Sequence, residues 1–268
     1  MSFNREEAKC PSHLTNRISH GEVTGNFRQW RTAIAVTAAI LFTVFAIIAS
    51  ILGAGSVLAL VRRTWRLVRP NSTCRPSRTA RYQLDYFQWN FLFGFVYIAA
   101  LLAVAVAIAH TLDNTAVLLV SLPLPLLAFQ ISSQLVLGSM LVWLRAKYPF
   151  RVSSMAKGAL VRPGVYTIIE DVVAVDGGQG VHFRQLLDAR YDSSKALQAL
   201  LQRMGWAWGL SGLGVSILLL ALIGSLTNKE ISFVLGWSVP WVWVTVLTLL
   251  TYFIVRTAQT SEEVTAIA

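Results

Sequence analysis

From Ala33 to Val61 the chain runs 29 residues without one charged side chain, and four more uncharged stretches follow at 89–112, 116–144, 205–226 and 231–255. About 20 apolar residues carry a helix across a hydrocarbon core roughly 30 Å thick, and inside that core each backbone polar group must be bonded within its own segment. The sequence therefore predicts an all-α integral membrane protein with five transmembrane helices. Composition agrees: 55% of the 268 residues are hydrophobic and 13% are charged, a balance that leaves a water-soluble domain with too much apolar surface.

The spans divide the chain into a polar N-terminal tail (1–31), three helices within 32–144 (33–61, 89–112, 116–144), a long amphipathic cytosolic loop (145–204), two helices within 205–256 (205–226, 231–255) and a C-terminal tail (257–268). The net charge of +10 is distributed beside the spans, so it reads as a topology signal and as contacts to anionic headgroups, and nucleic acid is not an expected partner. Placing the loops 62–81 and 145–203 on the cytosolic side gathers 17 of the 23 Lys and Arg residues there, against 6 on the other face. The expectation is a non-cytosolic N-terminus and a cytosolic C-terminus, in the endoplasmic reticulum, another endomembrane or the plasma membrane. Two cysteines, Cys10 and Cys74, give neither a disulfide framework nor a metal-ligand spacing, and no metal or cofactor is expected.

Within the spans the one polar cluster is Gln130, Ser132, Ser133 and Gln134, beyond Pro123 and Pro125. Such groups either glue helices together or line a polar substrate pocket, and glue is the favoured reading. Gly205, Gly209, Gly212 and Ser216 carry small-residue spacing that permits close helix approach.

The long loop holds five of the thirteen acidic residues. From Val165 to Val175 the polar positions Thr167, Glu170, Asp171 and Ala174 follow i, i+3, i+4, i+7. Val165, Ile168, Ile169, Val172 and Val175 fall on the other face, which is expected to be the shielded one. Pro163 suits the first turn, and Gly177 and Gly178 suit the exit. A second amphipathic stretch carries Phe183, Leu186, Leu187 and Tyr191, and a third begins after a cap at Asp192 or Ser193. Glu170, Asp171 and Asp176, with His182 close behind, are the candidate catalytic residues, since acid/base or cation chemistry needs titratable groups that the spans lack. The blander reading makes these acids partners of Arg162, Arg184 and Arg190 at a wet surface, where an ion pair is worth no more than about 1 kcal/mol.

The run Pro149 to Ser154, then Arg162-Pro163-Gly164-Val165-Tyr166, Glu170-Asp171-Val172-Val173-Ala174-Val175-Asp176-Gly177 and later Arg190-Tyr191 resembles a family of uncharacterised multi-pass membrane proteins of filamentous fungi. The resemblance covers about fifty residues and implies a fungal membrane protein whose loop carries the family signature. It brings no assigned activity. Two functions are consistent with the sequence: a non-enzymatic membrane protein whose cytosolic loop binds a protein partner or the inner leaflet of the lipid bilayer, or a membrane-bound enzyme or accessory factor, cyclase-like, acting on a lipophilic metabolite in secondary metabolism.

Overall fold

The computed structural model describes residues 36, 40, 54–69, 72–76, 84–108 and 113–267. The polar tail 1–31, most of the first span 33–61, Asn71 and His110 lie outside the described residues. The chain divides into two units, Met1–Ala59 and Leu60–Ala268. In the first, the described residues are helical. The second contains the remainder of α1 (helix 54–68), α2 (Tyr86–Ile108), α3 (Asp113–Ser121), α4 (Pro123–Trp143), α5 (Gly164–Val175), α6 (Gly180–Ser193), α7 (Lys195–Ser225) and α8 (Lys229–Ile267). Among the described residues β structure is limited to two isolated bridges, Lys147–Leu160 and Val152–Met155.

Among the described residues four helices are long and apolar enough to cross a membrane: Tyr86–Ile108, Pro123–Trp143, Lys195–Ser225 and Lys229–Thr257. Their boundaries differ from the sequence reading in ways that follow from local chemistry. The span expected at 116–144 is two helices, because Pro123 and Pro125 have no amide hydrogen to continue a helix across Leu122 and instead occupy the start of α4. The span expected at 205–226 begins ten residues earlier, at Lys195. Its N-cap is Ser194, whose hydroxyl accepts from Leu197 N, so the cap falls beyond the Asp192 or Ser193 anticipated. Beyond the span expected at 231–255 the helix continues through the polar tail: α8 runs to Ile267, with Pro240 inside it.

The bundle is built inside out relative to a soluble protein. Trp89, Phe93, Val106, Leu218, Trp241 and Phe253 point outward, while small residues meet at the helix crossings, as expected where lipid tails are as apolar as leucine and only close packing distinguishes helix from lipid. Along α4 and α7 the contacts pair Ser139 with Gly205, Val136 with Gly209 and Ser132 with Gly212. A Cβ on Gly212 would stand 2.0 Å from Ser132 Oγ and 2.7 Å from the Trp243 ring. At the other end of the bundle Gly236 lies against the Ser121 carbonyl, 2.2 Å from where a Cβ would be, and Trp237 Nε1 donates to Val120 O at 2.9 Å.

Between α4 and α7 the chain forms a cap (residues 145–193). Arg145, in the left-handed region at φ 51°, ends α4: its amide and that of Ala146 close back on the Val142 and Leu141 carbonyls, the reciprocal pattern that satisfies a helix C-terminus. A narrow hairpin follows, tied by Tyr148 N to Ala159 O and Val161 N to Ala146 O. Gly164 then brings the start of α5 onto α4 beside Leu135 and Gly138, where a Cβ on Gly138 would lie 3.4 Å from Gly164 N.

Candidate functional site

Helix α5 uses its two faces in the opposite sense to the one expected. Thr167, Glu170, Asp171 and Ala174 are buried, whereas Val165, Ile168, Ile169 and Val172 are half-buried and, of the apolar face, Val175 alone is buried. The reason is visible on each side. Val165 and Ile169 pack on the small apolar core of the cap, formed by Tyr166, Tyr191 and Leu201 with Leu187 and Leu197. The polar face meets two buried arginines and the start of α2.

Asp85 precedes α2 and caps it, accepting from Gln88 N at 2.8 Å. Two further amides of that first turn are also taken. Phe87 N donates to Asp171 Oδ2 at 3.2 Å, and Tyr86 N donates to Ser153 Oγ at 3.0 Å, with the Ser153 hydroxyl passing its own hydrogen to Asp171 Oδ2 at 2.6 Å. Ser153 sits in the left-handed region, φ 47°, a conformation that serine holds only where its surroundings fix it. Three amides left open by the helix start thus meet two carboxylates and a hydroxyl, where the positive end of the helix dipole favours negative charge.

Two guanidinium groups close the cluster. Arg184, on α6, reaches Asp171 Oδ1 at 2.7 Å and Glu170 Oε1 at 3.0 Å, with Asp85 Oδ2 at 3.9 Å. Arg63, on α1, bonds Asp85 Oδ2 at 2.5 Å, the Asp171 carbonyl at 3.1 Å and, on its outer side, the Asp176 carboxylate. Arg66 adds hydrogen bonds to the Val175 and Asp176 carbonyls at 2.8 and 3.2 Å, satisfying the C-terminus of α5 with positive charge. Arg63, Asp85, Glu170, Asp171 and Arg184 are each at most 5% exposed, while Asp176 is 47% exposed.

Burial and the nearby Asp171 charge push the Asp85 carboxyl up to about 6 against the pull of Arg63. Burial also raises Glu170, with Arg184 opposing it. The nearby Ser154 hydroxyl also opposes the effect of burial, and Glu170 Oε2 has no hydrogen-bond partner. The Arg184 Nε and Nη2 groups likewise have no hydrogen-bond partner.

The candidate residues divide accordingly. Glu170 and Asp171 come together with Arg184, as partners, and Asp176 joins through Arg63. His182 is exposed and takes no part in the cluster's bonds. Arg162 does not pair with these acids. It lies 4.7 Å over both the Tyr166 and Tyr191 rings and binds Asp188 and Asp192 at 2.5 and 3.1 Å. Arg190 is exposed on α6, and Leu186 on the same helix is exposed instead of sharing a buried face with Phe183. Pro163 and Gly164 start α5, and Gly177 and Gly178 end it, Gly178 with φ +68°. The picture of acids on a wet surface is corrected for two of the three: Glu170 and Asp171 are buried, where loss of a partner leaves an unpaired charge, while Asp176 is 47% exposed.

Asp85 and Arg63 escaped the sequence reading. Asp85-Tyr86-Phe87-Gln88 carries the spacing of an N-cap followed by Gln at the third helical position, a legible signal. Arg63 is one of seven arginines in its loop, and nothing local separates it from its neighbours.

Three of the four polar residues of α4 act between helices. The Tyr86 hydroxyl donates to Gln134 Oε1, Gln130 Nε2 donates to Asn90 Oδ1 at 3.3 Å and Ser132 is buried against Gly212, while Ser133 bonds the Gln130 carbonyl of its own helix at 2.9 Å. Among the described residues no group of three or more His, Cys, Asp or Glu is arranged to hold a metal ion.

Compared with known proteins, residues 30–265 match a family model described as Domain of unknown function (DUF8766). No curated protein and no solved structure matches the chain.

Proposed function

The chain belongs to this family of unknown function across most of its length, and we propose that it is a non-enzymatic multi-pass membrane protein whose cap docks on the inner leaflet. In this reading five helices cross the bilayer, 33–61 being the first, the N-terminus is non-cytosolic, and the two arginine-rich loops form one cytosolic body. The observation that carries it is the outer surface of the cap. Trp143, Phe150 and Leu160 are exposed at 76%, 67% and 59%, among the exposed Arg145, Lys147 and Lys157, while the cap's acids at the cluster face inward. Exposed aromatic and apolar groups interleaved with Lys and Arg directly after a span match the chemistry of an anionic bilayer surface. Fungal origin, suggested by the loop signature, is part of the same proposal.

The test uses single cysteines at Phe150 and Leu160, in a background without Cys10 and Cys74, labelled with a fluorophore and reconstituted in bilayers of phosphatidylcholine with phosphatidylserine. Quenching by a lipid-borne quencher should exceed quenching by aqueous iodide. The reverse order at both positions refutes docking on the leaflet.

A second reading, an enzyme or accessory factor acting on a lipophilic metabolite, draws support from Glu170, a buried acid with a free oxygen and a raised proton affinity. Loss of a metabolite on replacing Glu170, at normal protein abundance, would favour it.

A further inference from the structure

The cluster at the start of α2 has an imbalance that its surroundings do not remove. Three buried carboxylates, Asp85, Glu170 and Asp171, face two buried guanidinium groups, Arg63 and Arg184. The start of α2 offsets roughly half a charge. About half a negative charge is left where water cannot solvate it.

Register along the bundle places the inner side of the cluster relative to α4 and α7. Helices α2 and α4 run antiparallel, pairing Tyr86 with Gln134, Asn90 with Gln130 and the Tyr97 hydroxyl with the Pro123 carbonyl. Helices α4 and α7 pair Ser139 with Gly205. Arg203 is the last charged residue of α7 before Lys229. Gln134 is five residues below Ser139 and Gly205 two below Arg203, so the cluster lies about seven residues, roughly 10 Å at 1.5 Å per residue, nearer the bundle centre than Arg203. On the α1 side the situation differs. There Asp176, half exposed and bonded to Arg63, borders water.

Donors are also unevenly placed. Of the six oxygens of the three carboxylates, Asp85 Oδ1 and Oδ2, Asp171 Oδ1 and Oδ2, and Glu170 Oε1 each accept a hydrogen bond. Glu170 Oε2, on a fully buried side chain, accepts none. A carboxylate oxygen without a donor is a poor place for charge and a suitable place for a hydrogen.

We propose that this cluster is a buried proton-binding site at the edge of the apolar bundle, holding one proton on Glu170 at neutral pH and exchanging it with water on the Asp176 side. The step is simple in its balance: a proton from water joins the Glu170 carboxylate and gives a neutral carboxylic acid. The titratable and charged groups around it are Arg63 and Arg66 on α1, Asp85 and Tyr86 at the start of α2, Tyr148 in the hairpin, Tyr166 and Asp171 with Glu170 on α5 and Asp176 at its end, and Arg184 on α6. The inference rests on the bundle crossing a bilayer and is independent of whether the cap docks on the leaflet.

Infrared spectroscopy of the full chain in bilayers, at neutral pH, tests it. A protonated-carboxyl stretch should be present in the unaltered protein, absent in Glu170→Gln and retained in Asp176→Asn. Since glutamine copies the neutral acid in shape and charge, Glu170→Gln should also keep the abundance and Tm of the unaltered protein, whereas Arg184→Gln should lose most of its folded protein. Absence of the stretch in the unaltered protein overturns the proposal, as does its persistence in Glu170→Gln. Severalfold loss of folded Glu170→Gln would equally overturn it, because that is the behaviour of an ionised, paired carboxylate.

Discussion

Where α4 crosses α7 a glycine faces a serine or a valine, but where α1, α2, α5 and α6 converge a guanidinium faces a carboxylate. The first junction depends on the absence of atoms and the second on the presence of charge. In the bundle, hydrophobicity distinguishes nothing, since the surroundings are equally apolar, and the close approach of backbones at Gly205, Gly209 and Gly212 selects the partner helix. In the cap, short elements with little apolar area must be held to one another, and a few directional bonds fix their arrangement. The same chain therefore answers differently to substitution at its two junctions.

The largest effect should come from the cap. Arg184→Gln leaves Asp171 and Glu170 buried without their shared cation, a change that costs about 3–5 kcal/mol in buried pairs. In detergent the protein should unfold many degrees lower or fail to accumulate. A near-normal Tm would show that the cluster is wetter than its geometry indicates and would dissolve the contrast.

Next comes the bundle. Gly212→Ala places a carbon 2.0 Å from Ser132 Oγ and against the Trp243 ring, and overpacking of this kind costs about 1–3 kcal/mol. Pairing it with Ser132→Gly should recover part of the loss in the Tm. No recovery would mean that the Trp243 ring, not the serine, limits the approach.

A smaller effect concerns pH. Burial pushes the folded-state Asp85 carboxyl up to about 6, so between about pH 4 and 6 the folded state binds more protons there than the unfolded state. Stability should therefore fall as pH rises through this window, by at most about 1.4 kcal/mol per pH unit from this group. Thermal unfolding at a series of pH values reads the slope, and Asp85→Asn should flatten it. A slope of opposite sign would mean that the arginines dominate the burial.

The smallest effect is at His182, exposed and outside the cluster's bonds. His182→Ala should change the Tm within the range of about 0.5 kcal/mol typical of surface positions. A larger loss would reveal a role for α6 beyond presenting Arg184.

What could be read beforehand follows the same division. Uncharged runs announce the long apolar helices directly, and the small residues of α7 announce a packing stripe, because both signals are local. The break at Leu122 was legible in Pro123 and Pro125 but outweighed by the unbroken hydropathy around it. The faces of α5 could not be assigned from its own period. An i, i+3, i+4 pattern shows that two faces differ, yet which one is buried depends on partners more than eighty positions away in Arg63 and Asp85. The candidate acids were found because they are the titratable residues of the loop. Their burial was not, since it comes from long-range pairing that leaves no periodic trace.

Helix α7 joins the two regions. Its first turns contribute Leu197 and Leu201 to the core of the cap, and its last contribute Ile223, beside Gly236. The helix has 31 residues and contains no proline, a stiff rod of roughly 46 Å. In mechanical terms it is a strut common to both junctions, seated along α4 by Gly205, Gly209 and Gly212. The cap and the far end of the bundle therefore share one rigid element, and neither can be repacked without reference to the other.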